Sequence, residues 1–546
     1  MKKLQIYWCY ECEIPIINNN VCACGLTAKN LATDIRPVFP EEKYLMYRIT
    51  NNIEFLNKSV WSRKGNFYII KGKSVRVSLD QFSKKTNLEK IGSEIINKDF
   101  KDEYVQFYKM IDNFVEYNKQ YLSELEYSAI RYIQDTNEKY NSRLPVVSFS
   151  GGKDSTVVSD LVTRALGTPS ILHIYGDTTL ELELTQNYVD RFRMKNNKTP
   201  FLISKSEHDF MELCETMGPP SRVMSWCCTI FKTGPLNYLI NGFTSNKKIL
   251  TYYGIRGHES NSRKDYQEIS YNAFDKIKTS NVENSPKIAK QKVTSPIFDW
   301  KDIDVWLYIL GNEIDFNDAY RLGYSRVGCW CCPNNSDWAM NLNKVYLPKD
   351  SRNWNDFLVG FAKRIGKPDA EEYVAQGKWK ARQGGAGLVN KQINVEATQC
   401  VDEEYARTFN LSKPISEEIY EYFKPFGNIN KLLGRKVLNE VFVVDPKTNQ
   451  AILKIQGKLN SYTLKVIAVN PSNYTLLSKR VDCQLRKFQS CIGCLGCVSI
   501  CPNNAIAYAN ERYHIQENKC TQCLQCIHPW TGGCLMTKVL AVKKGV

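Results

Sequence analysis

The chain has 546 residues, and a single hydrophobic core rarely grows past about 250–300, so several domains are expected. Hydrophobic residues make up 43% and charged residues 24%, which excludes a disordered chain, and no run of about 18 apolar residues is present to span a membrane. The balance of 73 Lys and Arg against 57 Asp and Glu leaves a net charge of +16, which favours a polyanionic partner or a phosphorylated substrate, a solvated basic surface being the plainer alternative.

The first residues, MKKLQIYWCYEC, start basic but do not reach the apolar stretch of a signal peptide, so the expected location is the cytoplasm, where thiols stay reduced. There are 20 cysteines and only five histidines. Clustered cysteines in a reducing compartment point to metal, and ligand sets made mostly of thiolate suit zinc and iron–sulfur clusters.

In chain order, residues 1–35 hold Cys9-x-x-Cys12 and Cys22-x-Cys24-Gly25 in a turn-rich segment. Four thiolates across two turns are enough for tetrahedral zinc, so a zinc-ribbon-like module is expected, with a rubredoxin-like iron site or free thiols as alternatives. Residues 36–95 read as a small β-rich region, with Asn66–Ile70 and Ser74–Val77 as short strands. Residues 96–143 form a helical connector. There Tyr104, Tyr108, Ile111, Val115, Leu122, Leu125 and Ala129 recur at helical spacing, interrupted only by Asn118, and predict one long amphipathic helix.

Residues 144–382 change to an α/β pattern. Leu144–Phe149 predicts a buried parallel strand, Ser150–Ser155 a glycine-containing loop, and Thr156–Leu166 a helix stopping at Gly167. Ser170–Tyr175 and Ile249–Tyr253 predict further strands, and the alternation implies a doubly wound parallel sheet. The loop Ser150-Gly151-Gly152-Lys153-Asp154-Ser155 lets backbone approach an anion closely, with N–H groups and a helix N-terminus facing phosphate oxygens. Lys153 adds a point charge, and Ser150 and Ser155 add hydroxyl donors. The spacing is not that of the Walker loop.

SGGKDS resembles the signature of the PP-loop, or N-type ATP pyrophosphatase, superfamily. Five further motifs follow in order. They are Asp177-Thr178-Thr179-Leu180-Glu181, Trp226-Cys227-Cys228 with Lys232, Gly254-Ile255-Arg256-Gly257-His258-Glu259-Ser260 with Arg263, and Ser295-Pro296-Ile297-Phe298-Asp299-Trp300 leading to Gly328-Cys329-Trp330-Cys331-Cys332-Pro333. Together, over residues 144–340, they resemble the phosphoadenosine phosphosulfate reductase family. The resemblance implies an adenine nucleotide, with magnesium, at the carboxyl ends of the strands. Ser150–Ser155 would hold its phosphates, and Asp177, Arg256 and Arg263 would line the site. Lys153, Asp154, Asp177 and Arg256 are the catalytic candidates. The adjacent Cys227 and Cys228 with Cys329 and Cys332 resemble the cluster-bearing adenylylsulfate reductases and imply a third 4Fe-4S cluster. A zinc site or buried, inert thiols stay open there, and Cys331 and Cys214 are extra candidates.

The family's sulfate-assimilation reductases end in a Glu-Cys-Gly-x-His motif, and Cys400 here sits in Thr398-Gln399-Cys400-Val401 instead. Relatives that put sulfur into DNA or tRNA share the loop without that tail.

Gly384-Gly385-Ala386-Gly387 marks a linker at 383–398. Residues 399–480 read as a mixed α/β domain with strands at Val441–Val444, Ala451–Ile455 and Thr463–Val469 and no chemical motif. Residues 481–546 carry Cys491-x-x-Cys494-x-x-Cys497-x-x-x-Cys501-Pro502, then Cys520-x-x-Cys523-x-x-Cys526, and Cys534. That run resembles two-cluster ferredoxins and implies two 4Fe-4S clusters, one on Cys491, Cys494, Cys497 and Cys534, the other on Cys520, Cys523, Cys526 and Cys501.

The expected function is therefore ATP-dependent sulfur transfer to a nucleic acid, served by a sulfur donor such as a cysteine desulfurase. The alternatives are a sulfonucleotide reductase fed by its own ferredoxin-type domain, and a nucleotide-binding scaffold with structural clusters.

Overall fold

A computed structural model of the chain describes residues 4–63, 66–83, 87–243, 248–259, 269–270, 291–382, 395–401, 403–510, 512–527 and 533–540. Arg263 and Gly384–Gly387 lie outside the described residues. The chain divides into two compact units. One comprises 1–204, 246–281 and 291–357, the other 205–245, 282–290 and 358–546.

In the first unit, Ile6–Cys9, Ile14–Ile17 and Lys29–Ala32 make a three-stranded antiparallel sheet whose turns carry the four N-terminal cysteines. A second antiparallel sheet is built from Arg36–Pro37, Val60–Ser62, Phe67–Ile70 and Lys73–Arg76.

The amphipathic stripe after it is not one helix but two, Lys101–Tyr117 and Lys119–Lys139, broken at Asn118. The reason lies far away in sequence. The buried Asn118 side chain accepts from the Ile17 N–H at 2.8 Å and donates to the Pro15 carbonyl at 3.1 Å, pairing the edge of the strand Ile14–Ile17. It also donates to the Phe114 carbonyl at 2.7 Å, which the break leaves open. Asn118→Ala is expected to cost about 1–3 kcal/mol, because buried backbone groups lose their partners. A denaturant midpoint unchanged from wild type would refute this.

The central sheet of the first unit has the spatial order Phe201–Lys205, Leu172–Asp177, Leu144–Phe149, Ile249–Tyr252, Gln291–Thr294, Ile269–Ser270. Leu144–Phe149 runs parallel to both neighbours, Ile249–Tyr252 is parallel to Gln291–Thr294, and the short last strand is antiparallel. Successive strands step outward from Leu144–Phe149 on one side, then the order resumes on its other side at Ile249. In such a sheet the crevice at this reversal, at the carboxyl ends of the strands, is where ligands bind. The loop helix, Lys153–Leu166, follows the first strand and buries Val157, Val158, Leu161 and Val162 against the sheet. A second helix, Asp302–Gly311, is apolar almost all round and sits in the core with Trp306 and Tyr308.

In the second unit, six antiparallel strands lie in the order Glu396–Gln399, Ala406–Asn410, Thr463–Ala468, Ala451–Gln456, Glu440–Val444, Asn428–Asn430. A helix, Tyr474–Ser490, starts at Asn473, whose side chain accepts from the Leu476 N–H at 3.0 Å. Val481, Leu485 and Phe488 recur on its buried face and join the sheet's core to that of the cysteine-rich hairpin, Ile506–Ala509 and Arg512–Ile515. One hydrophobic core therefore spans both segments. No described helix is long and apolar enough to cross a membrane.

Candidate functional site

The reversal crevice gathers five charged side chains from four segments of the first unit. Lys153 Nζ lies 3.2 Å from Asp154 Oδ2 and 3.3 Å from Asp302 Oδ1. Arg256 Nε lies 2.7 Å from Asp154 Oδ1, and its terminal nitrogen 2.8 Å from Asp302 Oδ1. Asp34, from the N-terminal segment, accepts from the N–H groups of Asp302 and Ile303 at 3.3 and 3.2 Å, at the start of the helix Asp302–Gly311. A carboxylate at a helix N-terminus is favoured by the unpaired N–H groups there.

The backbones pack as closely as the charges. A Cβ on Gly254 would stand 2.7 Å from the Asp154 carbonyl carbon and 2.8 Å from the Ser155 nitrogen, so only glycine lets the Gly254–Glu259 loop meet the phosphate loop.

The electrostatics follow from this geometry. Burial pushes the Asp302 carboxyl up, but Lys153 and Arg256 more than offset it and hold it well below the usual carboxylate range. Burial works against the Lys153 charge, and Asp154 and Asp302 reverse that effect. Asp34 is pushed up to about 7 by burial, then by the charge of Asp302. Lys153 and Arg256 thus both face carboxylates whose places phosphate oxygens can take.

The loop itself is braced. Ser155 Oγ accepts from the Ser150 N–H at 3.1 Å and donates to the Gly152 carbonyl at 2.9 Å. Asn317 donates to the Gly151 carbonyl at 3.0 Å, and the Tyr320 hydroxyl accepts from the Lys153 N–H at 3.0 Å. Tyr320's ring also lies under the Lys153 ammonium, 5.4 Å from its centroid.

Next to the crevice, Asp177 accepts from the Thr179 N–H at 2.8 Å and holds Thr179 at φ 60°, a strained conformation for a β-branched residue. Thr178 donates to Glu181 at 2.6 Å and lies 3.4 Å from Cys329 Sγ. The turn Cys329–Cys332 is held by Asn335, which donates to the carbonyls of Cys329 and Trp330.

At the N-terminus the Sγ atoms of Cys9, Cys12, Cys22 and Cys24 all lie within 4.8 Å of one another. Cys9 and Cys24 approach to 3.7 Å, as do Cys12 and Cys22. The Cys12 N–H donates to Cys9 Sγ at 3.5 Å. Burial pushes the Cys22 thiol well up. Four converging thiols suit a divalent cation, which would deprotonate them.

In the second unit, the C-terminal cysteines fall into two sets. The thiols bearing on Cys494 are Cys534, Cys497 and Cys491. Those bearing on Cys526, after the Lys487 ammonium, are Cys501, Cys520 and Cys523. The second set lines one pocket together with Pro425, Ile506, Ile515 and Leu524. Each set is buried or partly so, apart from the exposed Cys523. Two sets of four cysteines fit two cubane clusters by the chemistry of their donors.

Cys227 and Cys228 form a helical turn, Trp226–Cys228, that passes through a π-helical turn, Thr229–Thr233, into the helix Gly234–Phe243. That helix packs on the cysteine-rich end. A Cβ on Gly234 would stand 3.0 Å from Leu495 Cβ and 3.2 Å from the Cys494 carbonyl oxygen. Within the same unit, His208 Nε2 lies 3.3 Å from the Gly493 carbonyl. Cys214 is buried in the helix Phe210–Met217 and is not one of the four thiols that converge at the N-terminus.

Residues 144–335 match the phosphoadenosine phosphosulfate reductase domain. The match covers the strand, the phosphate loop, Arg256 and Asp302, and leaves out Asp34. An uncharacterized protein of Methanocaldococcus jannaschii is 31% identical over 287 residues, covering 52% of this chain and 55% of that protein. The adenosine 5'-phosphosulfate reductase of Neisseria meningitidis serogroup B is 38% identical over 145 residues, covering 26% of this chain and 48% of that enzyme. The chain thus spans about half the length of these relatives. Among solved structures, phosphoadenylyl-sulfate reductase from Candida auris is 15% identical, covering 39% of this chain and 96% of that one, with a TM-score of 0.28.

Asp302, Asp34, Tyr320 and Asn317 are the crevice residues that sequence reasoning missed. Asp302 lies two residues beyond the motif ending at Trp300, and that proximity was the one local signal available for it.

A metal inventory follows from these thiol groups. Anaerobically prepared protein is expected to hold one zinc and about eight irons per chain, rising to about twelve if Cys227, Cys228, Cys329 and Cys332 also bind a cluster. Four or fewer irons after reconstitution would refute the two-cluster reading.

Proposed function

We propose that the chain is an adenine-nucleotide-dependent iron–sulfur enzyme that transfers sulfur to a nucleic acid. The observation that carries this is the crevice of Lys153, Asp154, Arg256 and Asp302 at the sheet's reversal, within the matched reductase domain. In this reading, phosphates take over Lys153 and Arg256 from their carboxylates, and Asp154 and Asp302 become available to a magnesium ion. An acceptor oxygen attacks the α-phosphate of ATP, pyrophosphate leaves, and the acceptor is adenylated. Sulfide, or a persulfide whose S–S bond is afterwards cleaved by two electrons and two protons, then displaces AMP, leaving sulfur where the oxygen was. Lys153 and Arg256 offset the charge that builds on the phosphates as pyrophosphate departs. The clusters, when bound to the C-terminal cysteines, would supply electrons at low potential.

A basic C-terminal segment supports a nucleic-acid acceptor. From Cys483 onward there are seven Lys or Arg and two Glu, a net of 7 − 2 = +5. Affinity for nucleic acid is expected to fall linearly on a log–log plot against salt, by roughly 0.7–0.9 per phosphate neutralised. Fluorescence anisotropy at several salt concentrations measures this, and binding that is absent at low salt or flat with salt would oppose it. The decisive assay is pyrophosphate release from ATP with and without tRNA or DNA. Release that needs nucleic acid supports the reading, and its absence refutes it.

A second reading is favoured by the packing of the Gly234–Phe243 helix, which follows Cys227-Cys228, on the Cys494 loop. That contact suits electron delivery to a sulfonucleotide. Sulfite release from adenylyl sulfate in the presence of a low-potential reductant would move the assignment to a reductase.

A further inference from the structure

Lys487 lies in the helix Tyr474–Ser490 and is only 1% exposed. Its ammonium donates to the Cys526 carbonyl at 2.8 Å and lies 5.9 Å from the centre of the Tyr513 ring. The thiols that face it are Cys497 and Cys534 from one cysteine set and Cys526 from the other. Among the described residues, no carboxylate is within ion-pair distance of it. A buried ammonium with no carboxylate is unfavourable unless another anion faces it. A cubane held by four thiolates is such an anion, and each gains a further negative charge on reduction.

We propose that Lys487 is a shared positioning charge that raises the reduction potentials of both C-terminal clusters. This rests on the reading of the two cysteine sets as cluster ligands. One positive charge held between two anionic groups stabilises the reduced form of each, because the reduced form carries the greater negative charge. It also eases transfer of an electron from one set to the other, since the charge that stabilises it is common to both. Sequence reasoning did not single out Lys487, because a lysine three residues before Ser490 on a helix ordinarily faces water.

The test uses the full chain, loaded with iron and sulfide under anaerobic conditions. Both are quantified per chain, and the potentials are read by electron paramagnetic resonance during redox titration. Lys487→Met removes the charge and the donor, Lys487→Gln keeps a donor toward the Cys526 carbonyl, and Lys487→Arg keeps the charge. In both neutral variants both midpoints are expected to move to more negative values by at least a tenfold change in the reduction equilibrium, about 59 mV for one electron. Lys487→Arg is expected to stay near wild type. If the Met variant loads no iron, the Gln variant decides. Loaded neutral variants with wild-type potentials overturn the proposal and leave the clusters standing. A shift in one cluster alone overturns the shared role. A wild-type chain that binds no iron overturns the cluster reading, and this inference with it.

Discussion

Cys494→Ser is expected to abolish turnover while leaving ATP affinity unchanged. Cys494 is 9% exposed, and its thiol is pushed well above the usual range by burial and by Cys534, Cys497 and Cys491. A serine hydroxyl is a poor ligand for iron beside three thiolates, so the cluster of that set should be lost. The iron content should drop by about four per chain. The phosphate loop belongs to the other compact unit, so calorimetric ATP affinity is expected to stay at the wild-type value. Cys400→Ser, outside both sets, serves as the control and should retain full turnover. A point substitution is needed because one core joins the strands of 396–468 to the cysteine-rich end, and truncation would expose it. A Cys494→Ser protein that turns over at the wild-type rate would show this cysteine set to be structural.

Lys153→Ala is expected to weaken ATP binding by about 10- to 100-fold, the loss of one charge-assisted contact worth about 1.5–3 kcal/mol. The structure places the effect toward the upper end. Without Lys153, the carboxylates of Asp154 and Asp302 keep, among the described residues, Arg256 as their close cation and repel the incoming phosphates. The same change alters acid stability. The Asp302 carboxyl is depressed in the fold by Lys153 and Arg256, so it contributes stability above the ordinary carboxylate range that is lost as pH falls through its depressed value. Removing Lys153 lessens the depression, so acid unfolding of the variant should begin at higher pH. Equal ATP affinity in wild type and variant, measured by calorimetry, would remove the phosphate loop from the site.

Much of the unit that holds the parallel sheet was legible in the sequence because its signals are local. Leu144–Phe149 is a strand with the bounds its apolar run predicts, and the helix after it stops before Gly167. The strand expected at Ser170–Tyr175 is observed two residues later, at Leu172–Asp177, within the ordinary error for strand ends. The loop Ser150–Ser155 and the N-terminal cysteines are likewise contiguous or nearly so, and spacing alone places such groups on one turn or on facing turns.

Distance along the chain is what hid the rest. Asp34 and Asp302 meet across 268 residues, and Tyr320 reaches Lys153 across 167. Asn118 broke an apparently continuous helix because its side chain is needed by a strand edge about a hundred residues earlier. Lys487 is buried where its ammonium meets the Cys526 carbonyl and the Tyr513 ring, both from later in the chain. Ligand type and loop spacing are written in a few adjacent residues, so the candidate metal ligands and the phosphate loop could be read without the fold. Which charges face one another came from the fold alone, because a buried polar side chain takes its partner from whatever long-range packing brings within about 3 Å.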